Sequence, residues 1–122
     1  FPSVNYCPDG MLAGAYLLKL LDGRPLKDVV SSLPIYPSAR DSFSFDPSQG
    51  KKVKERLAEE MSSLDGELTT VDGYRVDLGH GWLLVRLSGT EPKVRLTAEA
   101  RNRKDLDQIA EMARSRVRKA LG

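Results

Sequence analysis

The chain has 122 residues, 40% of them hydrophobic, with 19 Lys and Arg against 17 Asp and Glu, a formal charge of +2. That length supports one core of ordinary size and leaves a second complete domain cramped, so one full domain plus an appendage is expected. The near-balanced charge argues against strong nonspecific attraction to nucleic acid or anionic membrane, the single cysteine, Cys7, excludes an internal disulfide, and no long apolar run or leader pattern marks a spanning helix or signal peptide, so a protein of the reducing cytoplasm is expected.

In chain order, the first helical pattern runs from Asp9 to Leu21, with Asp9 as cap and Gly23 as the left-handed stop. Met11, Leu12, Ala15, Leu17, Leu18, Leu20 and Leu21 make it apolar nearly all round, the pattern of a helix buried on several sides. Few residues precede it and the chain begins at Phe1 rather than Met, so the sequence is expected to be a piece of a longer protein. Pro25 then opens a short helix with Leu26, Val29, Val30 and Leu33 on one face. The two prolines of Pro34-Ile35-Tyr36-Pro37 disfavour further helix and make a stiff connector. The expected division is residues 1–33 as appendage, 34–37 as linker or hinge, and 38–122 as the full domain.

Beyond the connector, Ser42 to Phe45 alternates like a half-buried strand. Asp46 as cap, Pro47 at the first helical position and Gln49 at the third predict a helix to about Ser62, with Val53, Leu57, Met61 and Leu64 inward and Glu59, Glu60 and the lysines solvated. Glu67–Val71 and Tyr74–Leu78 flank Asp72-Gly73, a strong hairpin signal. Gly79-His80-Gly81 makes another turn. Trp82–Leu87 and Lys93–Ala100 are strands, the second with Val94, Leu96, Ala98 and Ala100 facing inward. A last helix, capped near Asn102, carries Leu106, Ile109, Ala110, Ala113, Val117 and Leu121 at helical spacing. The order β-α-β-β-β-β-α predicts an α+β domain, an antiparallel sheet with helices on one face.

Between the last two strands lies Arg86-Leu87-Ser88-Gly89-Thr90-Glu91-Pro92-Lys93. Period-two alternation turns Arg86 and Arg95 outward together. Ser88 and Thr90 offer hydroxyls, Gly89 permits close backbone approach, and successive N–H groups in such a turn can cradle an anion. Arg binds phosphate through two parallel bonds that Lys93 cannot reproduce. A plain turn, with Gly89 and Pro92 shaping the chain and the arginines solvated, explains the same composition. The stretch is no P-loop, because Lys93 opens a strand and no second Gly is present.

These eight residues resemble the Arg-Pro-Ser-Gly-Thr-Glu-Pro-Lys motif of the α-D-phosphohexomutases, the family that includes phosphomannomutase, phosphoglucomutase and phosphoglucosamine mutase. Leu87 replaces the usual Pro. The resemblance extends through Val94–Ala100, through Val71–Leu78, and back to Tyr6–Leu21, which is similar to the closing helix of the family's third, α/β domain. It implies a four-domain intramolecular phosphotransferase that interconverts 6-phospho and 1-phospho sugars through a phosphoserine and a bisphosphorylated intermediate. It also implies a TATA-box-binding-protein-like last domain that closes the active site, and a phosphate grip at Arg86, Ser88, Gly89 and Thr90 with Lys93 and Arg95 as neighbours. The implied Mg²⁺, phosphoserine and sugar-reading loop have no counterpart in these residues. A phosphosugar substrate and the remaining domains are the implied partners, with no nucleic acid and no membrane, and the chain by itself is expected to be inactive.

Other candidates read as structural. His80 sits in a glycine-flanked turn with no carboxylate placed to orient it, Trp82 and Tyr74 read as sheet packing, Asp9 as a cap, and Cys7 has no basic neighbour in sequence to activate it. The alternative function is a small α+β RNA-binding or protein-interaction module, suggested by Arg101, Arg103, Lys104, Arg114, Arg116, Arg118 and Lys119 in and before the last helix. Cations near the end of a helix also complement its dipole.

Overall fold

The structure, a computed structural model, describes residues 9–122, so Cys7 and the start of the expected appendage lie outside the described residues. The chain divides into two compact units between Ile35 and Tyr36. In the first, the Asp9 carboxylate accepts a hydrogen bond from the Leu12 N–H at 2.9 Å and starts helix α1, Gly10–Leu21. Asp22, ahead of Gly23, is the residue that ends it, at φ 48°. The carboxylate side chain makes Asp one of the few non-glycine residues that accept this conformation. Helix α2, Leu26–Ser31, follows Pro25. No residue of α1 or α2 is buried.

The second unit is built on five strands: β1 Ser38–Ser44, β2 Glu67–Thr69, β3 Tyr74–Asp77, β4 Gly81–Leu87 and β5 Lys93–Ala100. They lie in the order β1-β5-β4-β3-β2, every pairing antiparallel. β1 starts earlier than its Ser42–Phe45 alternation suggests, because its inward position Asp41 carries a charge. That charge is matched: Arg114 donates to Asp41 at 2.9 Å, and the hydrogen bond raises the guanidinium's pKa further. The Asp72-Gly73 turn is wider than a two-residue hairpin. Thr69 pairs with Arg75, Val71 is 93% exposed, and only Gly73 takes a positive φ.

Asp46 accepts bonds from both the N–H and the hydroxyl of Ser48, and Pro47–Gln49 forms a 3₁₀ turn that leads into helix α3, Gly50–Ser62. Gln49 makes no capping bond. Helix α4 runs from Arg103 to Leu121, with Asn102 accepting from the Asp105 N–H at 2.9 Å. Both helices cover one face of the sheet. Val53, Leu57 and Met61 of α3 and Leu106, Ile109, Ala110, Ala113 and Val117 of α4 meet Val76, Leu83, Val85, Val94, Leu96 and Ala98 in a single core. Each fully buried Leu or Val contributes roughly 1.5–3 kcal/mol. At the end of α4, Ala120 is buried and Leu121 only partly so, one position away from the expected seat.

Glu60, expected to be solvated, is only 12% exposed and ties the two helices together, accepting from Arg116 at 2.8 Å and pairing with Lys119 at 2.6 Å. Those bonds, Arg116 first, hold its carboxyl below the usual glutamate range.

Candidate functional site

The face of the sheet away from the helices is polar. Arg86 on β4 and Arg95 on β5 are direct cross-strand partners there, their side chains 43% and 47% exposed. Like charges directly opposite are destabilising. Two carboxylates offset this pair: Asp72 accepts from Arg86 at 3.4 Å, and Glu91 accepts from Arg95 at 3.3 Å and from Lys93 at 2.7 Å. The Lys93 bond, then its charge, holds the Glu91 carboxyl below its ordinary range.

The connection between the strands is tied at its base. The Ser88 N–H donates to the Lys93 carbonyl and the Lys93 N–H to the Glu91 carbonyl, both at 2.8 Å. Gly89 and Thr90 are exposed, and their N–H groups and the Ser88 and Thr90 hydroxyls have no partner among the described residues. A Cβ added at Gly89 would meet nothing within 4 Å. Internal packing therefore does not require glycine there; it leaves the backbone open to an outside group.

Arg86 borders two hollows. One, of about 570 Å³, is lined by Arg40, Ser42, Lys93, Arg95 and Thr97 among others; the second, of about 430 Å³, by Lys54, Thr70, Asp72 and Gly73 among others. The structure thus brings Arg86, Lys93 and Arg95 into one groove. Ser88, Gly89 and Thr90 line none of the hollows and sit on the chain between Arg86 and Lys93.

Gly73 supports Arg86 in a way that the hairpin reading missed. At φ 90°, it lies so close to β4 that a Cβ would come within 2.6 Å of the Arg86 Cβ and the Val85 carbonyl. Arg40 and Ser42 were also missed as groove residues: Arg40 precedes the expected strand, and Ser42 opens it with nothing in its own alternation to mark a site. No local signal links either strand position to the groove; only the sheet register does.

The other candidates make the following contacts within the domain. Trp82 donates to Glu99 at 3.2 Å, and the Arg75 guanidinium lies 4.1 Å from the centre of its ring. Tyr74 donates to the Lys54 carbonyl at 3.2 Å. The His80 ring Nδ1 donates to the Leu78 carbonyl at 2.9 Å in an exposed turn. Of the seven cations in and before α4, five form ion pairs: Arg103, Arg114, Arg116, Arg118 and Lys119. With Trp82 the one aromatic among the outward strand positions, the sheet offers no stacking platform of the RNA-recognition kind. Among the described residues, no group of three or more His, Cys, Asp or Glu is arranged to hold a metal ion, and no helix is long and apolar enough to cross a membrane.

The sequence profile of the phosphoglucomutase/phosphomannomutase C-terminal domain matches residues 46–116. The chain belongs to the phosphoglucomutase/phosphomannomutase family. It is 39% identical over 121 residues to a probable phosphoglucosamine mutase of Methanococcoides burtonii, covering 99% of this chain and 27% of that protein. With the phosphoglucosamine mutase of Methanocaldococcus jannaschii the identity is 35% over 121 residues, 97% of this chain and 27% of the relative. A crystal structure of a phosphoglucomutase/phosphomannomutase family protein from Burkholderia thailandensis is similar with a TM-score of 0.74 and 30% identity, covering 92% of this chain and 24% of that one. The chain therefore spans about a quarter of the length of the relatives it matches.

Proposed function

We propose that this chain is the phosphate-gripping, closing portion of a cytoplasmic phosphosugar mutase that interconverts sugar 6-phosphate and sugar 1-phosphate. The relatives named as phosphoglucosamine mutases favour a hexosamine phosphate as substrate. The observation that carries the reading is the facing pair Arg86 and Arg95 beside a loop with free N–H and hydroxyl donors. In this reading Arg86 forks onto the phosphate that is not being transferred, while Ser88, Gly89 and Thr90 donate to its remaining oxygens. Lys93 and Arg95 add charge, and Asp72 yields Arg86 to the stronger anion.

The grip works by positioning. Fixing the distal phosphate aims the reacting hydroxyl at a phosphoserine carried by the rest of the enzyme, and release and rebinding let a bisphosphorylated intermediate turn around. Pro34–Pro37 would serve as the hinge for that closure. The Mg²⁺ implied by the family would be held outside this chain, where it would neutralise charge on the transferring phosphoryl group.

Titrating inorganic phosphate and then glucose 1-phosphate into the chain, followed by amide NMR shifts, tests the grip. Saturable shifts confined to residues 88–93 and lost in Arg86→Ala are expected; silence in this loop at millimolar phosphate refutes a self-sufficient grip. The 122 residues alone should show no mutase turnover, so turnover above background would refute the division of labour.

A further inference from the structure

The outer face of β1 supplies the groove with a cation that neither the loop motif nor the neighbouring strand accounts for. Arg40 faces Thr97 and Ser42 faces Arg95 in the β1–β5 register, and Arg95 in turn faces Arg86. Ser42, Arg95 and Arg86 therefore form one row across three strands, with Arg40 in the next row. Diagonal neighbours of this kind lie about 7–8 Å apart, within reach of long side chains. All four line the same groove of about 570 Å³.

The other charges around the groove are already engaged. Glu91 serves Lys93 and Arg95, Asp72 serves Arg86, and Asp41 is tied to Arg114. Arg40 alone of the groove's cations has no hydrogen bond or ion pair among the described residues. A row of guanidinium groups with one left over is an arrangement that an oxyanion would stabilise.

We propose that Arg40, with Ser42 beside it, forms the far wall of the anion site and binds the same phosphate group as Arg86 and Arg95, from the side opposite the loop. This rests on the phosphate-grip reading, and it places the phosphosugar along the sheet face rather than at the loop tip alone. The competing role for Arg40 is a charge on an edge strand that discourages strand addition, which needs no ligand.

The test is an NMR titration of the chain with inorganic phosphate, following the loop amides and the Arg40 side-chain Nε–H. The expected result is a shift of both in the wild type, a Kd raised about tenfold in Arg40→Gln, and an intermediate Kd in Arg40→Lys, which keeps the charge and loses the fork. Arg101→Gln, an exposed cation bordering a different hollow with His80 and Trp82, should leave Kd unchanged. Loop shifts that persist with an unmoved Arg40 and an unchanged Kd in Arg40→Gln overturn this proposal and leave the grip intact. An equal loss in Arg101→Gln also overturns it, by reducing the effect to net charge. A silent loop in the wild type overturns the grip reading and this proposal with it.

Discussion

On β5 the two faces of the sheet can be compared residue by residue. Val94, Leu96, Ala98 and Ala100 are sealed under the helices, while Lys93, Arg95, Thr97 and Glu99 on the same strand face outward. The inner set interlocks with α3 and α4 in one apolar core. The outer set places Arg95 against Arg86, a pairing that burial does not reward and electrostatics opposes. The inner face answers to folding and, under the proposed grip, the outer face answers to a ligand, so substitutions on the two should separate cleanly.

Leu57→Ala should produce the largest effect on the inner face. The residue is fully buried, so a loss of about 2–5 kcal/mol in denaturant unfolding is expected, with phosphate affinity of the folded fraction unchanged. A matching stability loss in Arg86→Ala would break the separation. Gly73→Ala should cross the divide. Its positive φ and its 2.6 Å approach to β4 predict about 1–3 kcal/mol of destabilisation together with weaker phosphate binding, because Arg86 must shift.

Glu60→Gln should reveal itself through pH. The folded carboxyl sits below its ordinary value, so its contribution is present above the unfolded pKa and fades as pH falls through the folded one. The melting gap between wild type and variant should be open at neutral pH, begin to narrow as pH falls below about 4.3, the unfolded glutamate value, and close below the folded one. A gap independent of pH would remove charge from the explanation. The smallest effect is expected from Glu91→Gln, which releases Lys93 and Arg95 and should tighten phosphate binding a few-fold without moving the unfolding midpoint. Weaker binding would mean instead that Glu91 is needed to hold the cations in place.

Elements with strong periodicity were legible before the fold was known. The inward set of β5 and the stripe of α4 through Val117 sit where their spacing puts them. Arg86 and Arg95 share a face because alternation requires it. Contacts between residues far apart in sequence were not legible. The first half of β1 is disguised by Asp41, whose partner Arg114 is on the last helix. Glu60 looks like any solvated helix glutamate until α4 brings Arg116 and Lys119 to it. Asp72-Gly73 correctly marked a turn, but its closeness to the Arg86 backbone is a property of the packed sheet.

Gly89, finally, is a position at which two selections would disagree. Since nothing lies within 4 Å of a Cβ there and its φ is not in the left-handed region, a library of substitutions would pass a screen for folding with little discrimination. Under the proposed grip, the same library challenged with a phosphosugar would retain only what leaves the backbone open. A residue that looks replaceable by stability alone would then be among the least replaceable in the chain.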